Sequence, residues 1–157
     1  MSKKKKRTSN SNLIVRNKKV LNDFFILESY EVGIELLGSE VKSVRDRKVN
    51  LKDSYARIKK GQLFLHNMHI SPYINSRIEG IVPKRARKLL MHRREIDRIQ
   101  GKLIDKSITM VPLRLYFKKN VVKAEIALAK GKNKMDKRKD LIEKEHSREI
   151  KRALKNY

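Results

Sequence analysis

Residues 109–132 read TMVPLRLYFKKNVVKAEIALAKGK and hold the most regular pattern in the chain. Apolar and polar side chains alternate up to Phe117, and after Lys119–Asn120 the alternation resumes as far as Leu128. A period of two places successive side chains on opposite faces of a strand. The stretch therefore predicts a β-hairpin that turns at Lys119–Asn120 and ends at Lys130–Gly131.

Other parts of the chain carry shorter strand patterns, rich in aromatic and branched side chains and separated by turn residues. From residue 71 to residue 87, Pro72 and Pro83 predict an irregular stretch. The predicted strands are FFILESY (24–30) and IELL (34–37), around a turn at Tyr30–Gly33, and a hairpin over residues 55–70 that turns at Lys60–Gly61.

Two segments have a helical pattern. After Gly38, Val41 and Val44 are three residues apart, and Ser39 is placed to cap a short helix. The stretch ARKLLMHRREIDRIQGKLI (86–104) predicts a longer helix that ends at Gly101, with its apolar residues on one face. That face consists of Leu89, Ile96, Ile99 and Leu103.

The charge of the chain indicates its class of partner. Its 41 Lys and Arg residues outnumber 17 Asp and Glu, which gives a formal net charge of +24. Such an excess favours a polyanion, nucleic acid before an anionic membrane. No apolar run is long enough to span a bilayer, no secretory signal opens the sequence, and there is no cysteine for disulfides. We expect a cytoplasmic protein.

The sequence offers no catalytic or metal-binding constellation. His66 and His69 are an odd number of residues apart, so on a strand they point to opposite faces. No phosphate-binding glycine loop or nucleophile elbow is present. We expect no enzyme activity, metal or cofactor. Basic clusters at 3–7, 16–19, 84–94 and 130–139, with aromatic residues between them, favour RNA, recognised through shape and phosphates in preference to base stacking.

Short strands with interspersed helices predict a mostly β fold, a small oligonucleotide-binding-like barrel with packed helices. We expect a disordered basic arm at 1–12, an RNA-binding barrel domain at 13–130 and a basic tail at 131–157. The tail has one short apolar stripe of Ile150, Leu154 and Tyr157. Short isolated helices are marginal in water, so this tail is predicted to be disordered alone and helical on binding.

Four segments carry a joint resemblance: GSEVKSVR (38–45), NLKDSYARI (50–58), RARKLLMHRREID (85–97) and TMVPLRLYFKKNVVKAEIALAKGKNKMDKR (109–138). Together they resemble the SsrA-binding protein family of bacterial ribosome rescue. The resemblance implies a monomeric, non-catalytic protein that grips the tRNA-like domain of transfer-messenger RNA and delivers it to stalled ribosomes, where the tail probes the empty mRNA channel. A general ribosome-associated RNA-binding module with no rescue role is the alternative.

The resemblance also implies site residues. As an acid, Glu31 is suited to accept a hydrogen bond from a base amine or a 2′-hydroxyl, while Leu90 fits the core equally well. Ser39 and Met135 depart from the family pattern, where many relatives carry a ring. The implied RNA-binding residues are Asn17, Glu31, Leu90, Lys130, Gly131, Lys132 and Lys134. The implied ribosome-engaging residues of the tail are Asp136, Lys137, Arg138, Ile150 and Leu154.

Overall fold

The structure is a computed structural model that describes residues 12–76 and 80–155. The predicted arm lies outside the described residues except for Asn12, and so does Tyr157 of the tail stripe. Within the described residues, strands predominate as far as Gly131, and four helices accompany them. The strands are β1 (Leu13–Arg16), β2 (Phe24–Ile34), β3 (Val49–Asn50), β4 (Tyr55–Lys59), β5 (Gln62–His66), β6 (His69–Ile70), β7 (Arg87–Leu90), β8 (Ile108–Lys118) and β9 (Val121–Gly131). The helices are α1 (Lys18–Asp23), α2 (Gly38–Arg45), α3 (Arg93–Lys102) and α4 (Lys134–Lys155).

The main sheet closes on itself. Its strand order is β1-β8-β4-β5-β7-β2-β9, and β9 also pairs with β8, so the strands from β8 to β9 form a ring. All pairings within this sheet are antiparallel. β3 and β6 form a separate two-stranded sheet. Closure leaves few unpaired strand edges and encloses one apolar core. The predicted mostly β class with packed helices is confirmed.

The β8–β9 hairpin provides the longest wall of the ring. Its turn residues Lys119 and Asn120 have φ of 49° and 62°, the left-handed pair that a two-residue hairpin turn requires. Inward side chains such as Leu115 and Ile126 are fully buried. The register shifts between Pro112 and Arg114, because proline lacks an N–H to donate and is tolerated at such irregularities. The hairpin predicted from residues 109–132 is confirmed.

The predicted turn at Tyr30–Gly33 is wrong. β2 runs unbroken through it and pairs with β9 from Phe24 to Gly33, with one bulge after Ile26. Gly33 does not have a positive φ, so a turn is not the reason for a glycine at this position. Pairing along two neighbouring strands outweighs the weak turn signal, because it satisfies the backbone groups of the whole segment.

The long helix predicted from residue 86 is wrong in its first part. Residues 87–90 form β7, and the helix begins only at Arg93 and continues through Gly101. Leu89 is buried as a strand residue, not on the helical face. A short apolar run fits either structure, and pairing with β5 and β2 decides it. Ser39 is also not the cap of α2, because Leu37 occupies that position.

A buried ion pair joins α2 to β7. Arg87 is fully buried and donates to Glu40 from Nε at 2.9 Å and from Nη2 at 2.7 Å. Arg85 donates two further bonds to this carboxylate, at 3.0 and 2.6 Å, and the Leu37 N–H donates to it at 2.9 Å. Arg87 also donates to the carbonyl oxygens of Met68 and Pro83. Every charge taken into the interior is therefore matched, as burial demands.

Glu40→Gln should destabilise the protein by about 3–5 kcal/mol, because it leaves the Arg87 guanidinium buried without a counter-charge. Burial raises the pKa of Glu40, but the bonds from Arg85, Leu37 and Arg87 outweigh it and hold that pKa below its usual range. This part of the stability is therefore present above pH ~4.3, the unfolded pKa, and is lost as pH falls through the folded pKa. Urea unfolding at several pH values measures both effects.

The exposed Glu35→Gln is the control and should change the unfolding free energy little. Equal stability of the Glu40→Gln protein and the wild type at neutral pH would contradict the role of this pair.

Candidate nucleic-acid interface

One outer surface of the ring brings together residues from four strands. Leu90 of β7 lies opposite Gly33 of β2, Gly33 opposite Lys123 of β9, and Lys123 opposite Tyr116 of β8. Glu31 lies two residues before Gly33 and therefore on the same face of β2. We call this surface the Glu31 face and define it by Glu31, Gly33, Leu90, Tyr116, Lys118 and Lys123.

The carboxylate of Glu31 is held from both sides. Lys118 Nζ donates to one oxygen and the Tyr116 hydroxyl to the other, each at 2.5 Å. These bonds, that of Lys118 first, lower the pKa of Glu31 below its usual range. Burial and the same hydrogen bond raise the pKa of Tyr116. Glu31 is thus an oriented anion whose remaining lone pairs can accept hydrogen bonds at the surface.

Leu90 is a surface residue, and its neighbour Leu89 belongs to the core. The exposed fraction is 51% for Leu90 and 1% for Leu89. The Leu90 side chain lies over Gly33, where an added Cβ would come within 3.1 Å of the Leu90 Cβ. Glycine at position 33 therefore provides the space in which Leu90 lies against the sheet, and the alternative that Leu90 packs in the core is excluded.

Asn17 has a structural position. Its side chain is buried, and its Nδ2 donates to the Leu51 carbonyl oxygen at 3.1 Å. Its own N–H donates to the Leu113 carbonyl oxygen at 2.8 Å. Asn17 thus joins the start of α1 to β8 and to the chain after β3. Its role in RNA binding stays a prediction.

The residues at the end of β9 differ in whether they are exposed or bound within the protein. Lys132 has a side chain only 9% exposed: its Nζ bonds Asp140 at 2.6 Å and the Leu21 carbonyl oxygen at 3.1 Å, and lies 4.9 Å from the centre of the Phe25 ring. The residues that remain exposed for a partner are Lys130, Gly131 and Lys134. Lys132 is therefore the joint that fastens the tail to the ring.

Two of the three predicted signature residues of the tail also have structural contacts. Asp136 accepts from the Asn133 N–H at 3.3 Å, which caps the start of α4. Lys137 pairs with Asp23 of α1 at 2.9 Å. Arg138 is exposed and forms no ion pair within 12–76 and 80–155. Of this signature, Arg138 is the side chain whose charge is not paired within the described residues.

The tail is helical in the structure, and none of its described residues is buried. Ile150 and Leu154 are 59% and 73% exposed, and Met135, the departure from the family pattern, is 64% exposed. An exposed apolar stripe on a helix is typical of a surface that a partner covers, and the partner of this one stays a prediction. That the segment is disordered before binding stays a prediction.

The sequence interpretation missed Tyr116, Lys118 and Lys123. The alternation within 109–132 already assigned these three to the outer side of the hairpin. What it lacked was the register of β2 against β9, which brings Glu31 beside them. No group of metal-binding side chains occurs in the part of the chain that the structure describes, and no described helix is long and apolar enough to cross a membrane.

Tyr116→Phe should raise the pKa of Glu31 towards its ordinary value, because one of its two hydrogen bonds is lost while that of Lys118 remains. A pH titration of the carboxyl carbons by NMR measures it. Tyr30→Phe is the matched control, since Tyr30 donates to Glu28 in the same way and not to Glu31. An unchanged Glu31 titration in Tyr116→Phe would show that the hydroxyl does not orient this carboxylate.

Comparisons with known proteins cover almost the whole described chain. The sequence profile described as SmpB protein matches residues 14–156. An SsrA-binding protein of Geobacter sulfurreducens is 52% identical over 143 residues, which are 91% of this chain and 94% of that protein. One of Syntrophobacter fumaroxidans is 49% identical over 156 residues, 99% of this chain and 97% of that protein.

A solved structure described as "tmRNA-SmpB: a journey to the center of the bacterial ribosome" aligns with a TM-score of 0.65 and 40% sequence identity. The alignment covers 81% of this chain and 93% of the solved one. The family profile, over residues 14–156, spans both the ring and α4. The chain belongs to the SmpB family.

Proposed function

We propose that this protein binds transfer-messenger RNA through its tRNA-like domain and brings it to stalled ribosomes for trans-translation, in which the nascent peptide is tagged. The observation that carries the proposal is the Glu31 face, where an oriented carboxylate lies beside an exposed leucine in a chain of net charge +24. The support for this particular RNA is the similarity to SsrA-binding proteins over 91% of the chain.

The chemistry of the face suits structured RNA. The excess of lysine and arginine attracts phosphates, and each neutralised phosphate releases a counterion. Glu31 cannot attract phosphate, so it accepts hydrogen bonds from a base amine or a 2′-hydroxyl and selects among RNA surfaces. Leu90 adds an apolar contact with a ribose or a base. The protein acts by binding and positioning and not by catalysis, and it does so as a monomer in the cytoplasm, where ribosomes work.

In this proposal the tail engages the ribosome. Lys130, Lys134 and Arg138 offer charge that no carboxylate takes within the described residues. α4 then presents its exposed Ile150 and Leu154 to the empty mRNA channel of the small subunit. Lys132 and Lys137, bound within the protein, hold the helix at its root. Asn17, buried near the same root, supports the RNA-binding surface by fixing α1.

Leu90→Ala should weaken binding of the isolated tRNA-like domain on the order of tenfold, the loss expected for a central contact residue. Gly33→Ala should weaken it less, because its Cβ displaces Leu90 by tenths of an ångström and does not remove it. Fluorescence anisotropy with the full-length protein measures both. Ile74→Ala, which shortens another exposed apolar side chain on a distant loop, is the control. Equal affinities of the Leu90→Ala and Ile74→Ala proteins would contradict a contact at the Glu31 face.

Deleting residues 141–157 should leave binding of the tRNA-like domain intact but abolish peptide tagging in a reconstituted translation system. The deletion keeps Asp140 and hence its bond with Lys132, so the joint at the root survives. Lys151→Glu with Arg152→Glu, two exposed residues of α4, should impair tagging without loss of the helix. Tagging at the normal rate after the deletion would mean that the tail has no role on the ribosome, as the alternative of a general RNA-binding module requires.

A further inference from the structure

A second outer surface of the ring has a different chemistry. Its strands β4, β5 and β7 are neighbours, and their outward side chains form two rows across them. In the first row Tyr55 lies opposite His66. In the second row Phe64 lies between Arg57 on one side and Lys88 on the other. The side chains between these positions point into the core. We call this surface the aromatic face and define it by those five residues.

The rings of this face are arranged for stacking. The rings of Tyr55 and His66 are nearly parallel, with an interplanar angle of 14° and centroids 5.2 Å apart. Tyr55 is 39% exposed, and His66 and Phe64 are half-buried. Tyr55 also borders two surface cavities of about 360 and 430 Å³. Flat side chains that remain accessible at a basic surface are platforms on which bases stack.

The two cations of this face are unpaired. On the Glu31 face, by contrast, Lys118 is bound to Glu31. Over the described residues no carboxylate pairs with Arg57 or Lys88, and the three strands contain no acidic residue at all. Their charge is free to neutralise phosphates.

We propose that the aromatic face binds unpaired nucleotides of RNA, whose bases stack on Tyr55 and Phe64 while Arg57 and Lys88 contact the phosphates. A duplex cannot satisfy this surface, because its base faces are already covered by their neighbours. An acidic protein would use the cations but not the stacked rings. The inference goes beyond the function proposed above, since it concerns another face and another state of RNA, and it does not depend on the Glu31 face.

The experiment compares a short oligouridine with a hairpin RNA of the same number of phosphates, in which a non-nucleotide linker replaces the loop so that every base is paired, by fluorescence anisotropy with the full-length protein. Tyr55→Leu should weaken oligouridine binding by about tenfold, the size of one lost base stack, and leave hairpin binding unchanged. Tyr55→Phe keeps the ring and should bind both RNAs like the wild type. This pair of variants separates stacking from a general effect on folding, because both remove the hydroxyl and only Leu removes the flat ring.

The charge is tested with Arg57→Ala combined with Lys88→Ala. This variant should weaken oligouridine binding and reduce the slope of log affinity against log salt by roughly 1.4, the value for two contacts with a single strand. Lys48→Ala with Lys52→Ala removes the same charge from exposed residues outside the aromatic face and should reduce the slope less. Oligouridine affinity of Tyr55→Leu equal to the wild type, or equal losses on the hairpin, would overturn the proposal.

Two further arms identify the source of the nucleotides. If Tyr55→Leu weakens binding of the isolated tRNA-like domain, the unpaired nucleotides belong to transfer-messenger RNA; if it weakens binding of purified small ribosomal subunits instead, they belong to ribosomal RNA. Leu90→Ala on the same RNAs reports on the Glu31 face alone. Failure at one face is therefore distinguishable from failure at the other.

Discussion

The guanidinium of Arg87 lies inside the protein, and its position fixes the strand on which both outer surfaces depend. Its bonds to Glu40 and to two carbonyl oxygens hold β7 against α2 and against the chain on either side of β6. β7 in turn carries Leu90 to the Glu31 face and Lys88 to the aromatic face. A buried ion pair is a poor source of stability compared with apolar packing, but it admits only one arrangement of its partners. In this protein that specificity sets the register of the functional surface.

The distribution of acidic residues divides the surface by chemistry. A chain with a formal charge of +24 can attract any polyanion, so attraction alone cannot select one. Where carboxylates such as Glu31 and Glu125 neutralise the nearby cations, hydrogen bonding and shape must decide what binds. Where they are missing, phosphate contacts and stacking can act together. In a strongly basic protein, the positions of the few acidic residues thus determine which kind of polyanion each surface selects.

Much of the fold follows from the sequence, but only where a pattern is long. The alternation in residues 109–132 is sustained over two strands and is confirmed in detail, with left-handed φ at Lys119 and Asn120. Residues 87–90 are too few to show a period, and pairing between strands distant in the chain makes them β7. The same limit applies to the site. The sequence pattern fits Leu90 to the core and to the surface equally well, and only its pairing opposite Gly33 decides between them.

α4 is a stiff rod that is anchored at one end. Its 22 residues span about 33 Å at ~1.5 Å per residue. Near its root, Lys132 joins Asp140 of the helix to the Leu21 carbonyl oxygen of α1, and Lys137 of the helix pairs with Asp23 of α1. Once the ring is seated on an RNA, the direction and reach of this rod are no longer free. In the proposed function, the distal end of the helix then lies at a fixed distance from the bound RNA, and it reaches the mRNA channel only where that channel is empty. The contacts of Lys132 thereby convert the length of the helix into a fixed distance between the bound RNA and the space that the helix can enter.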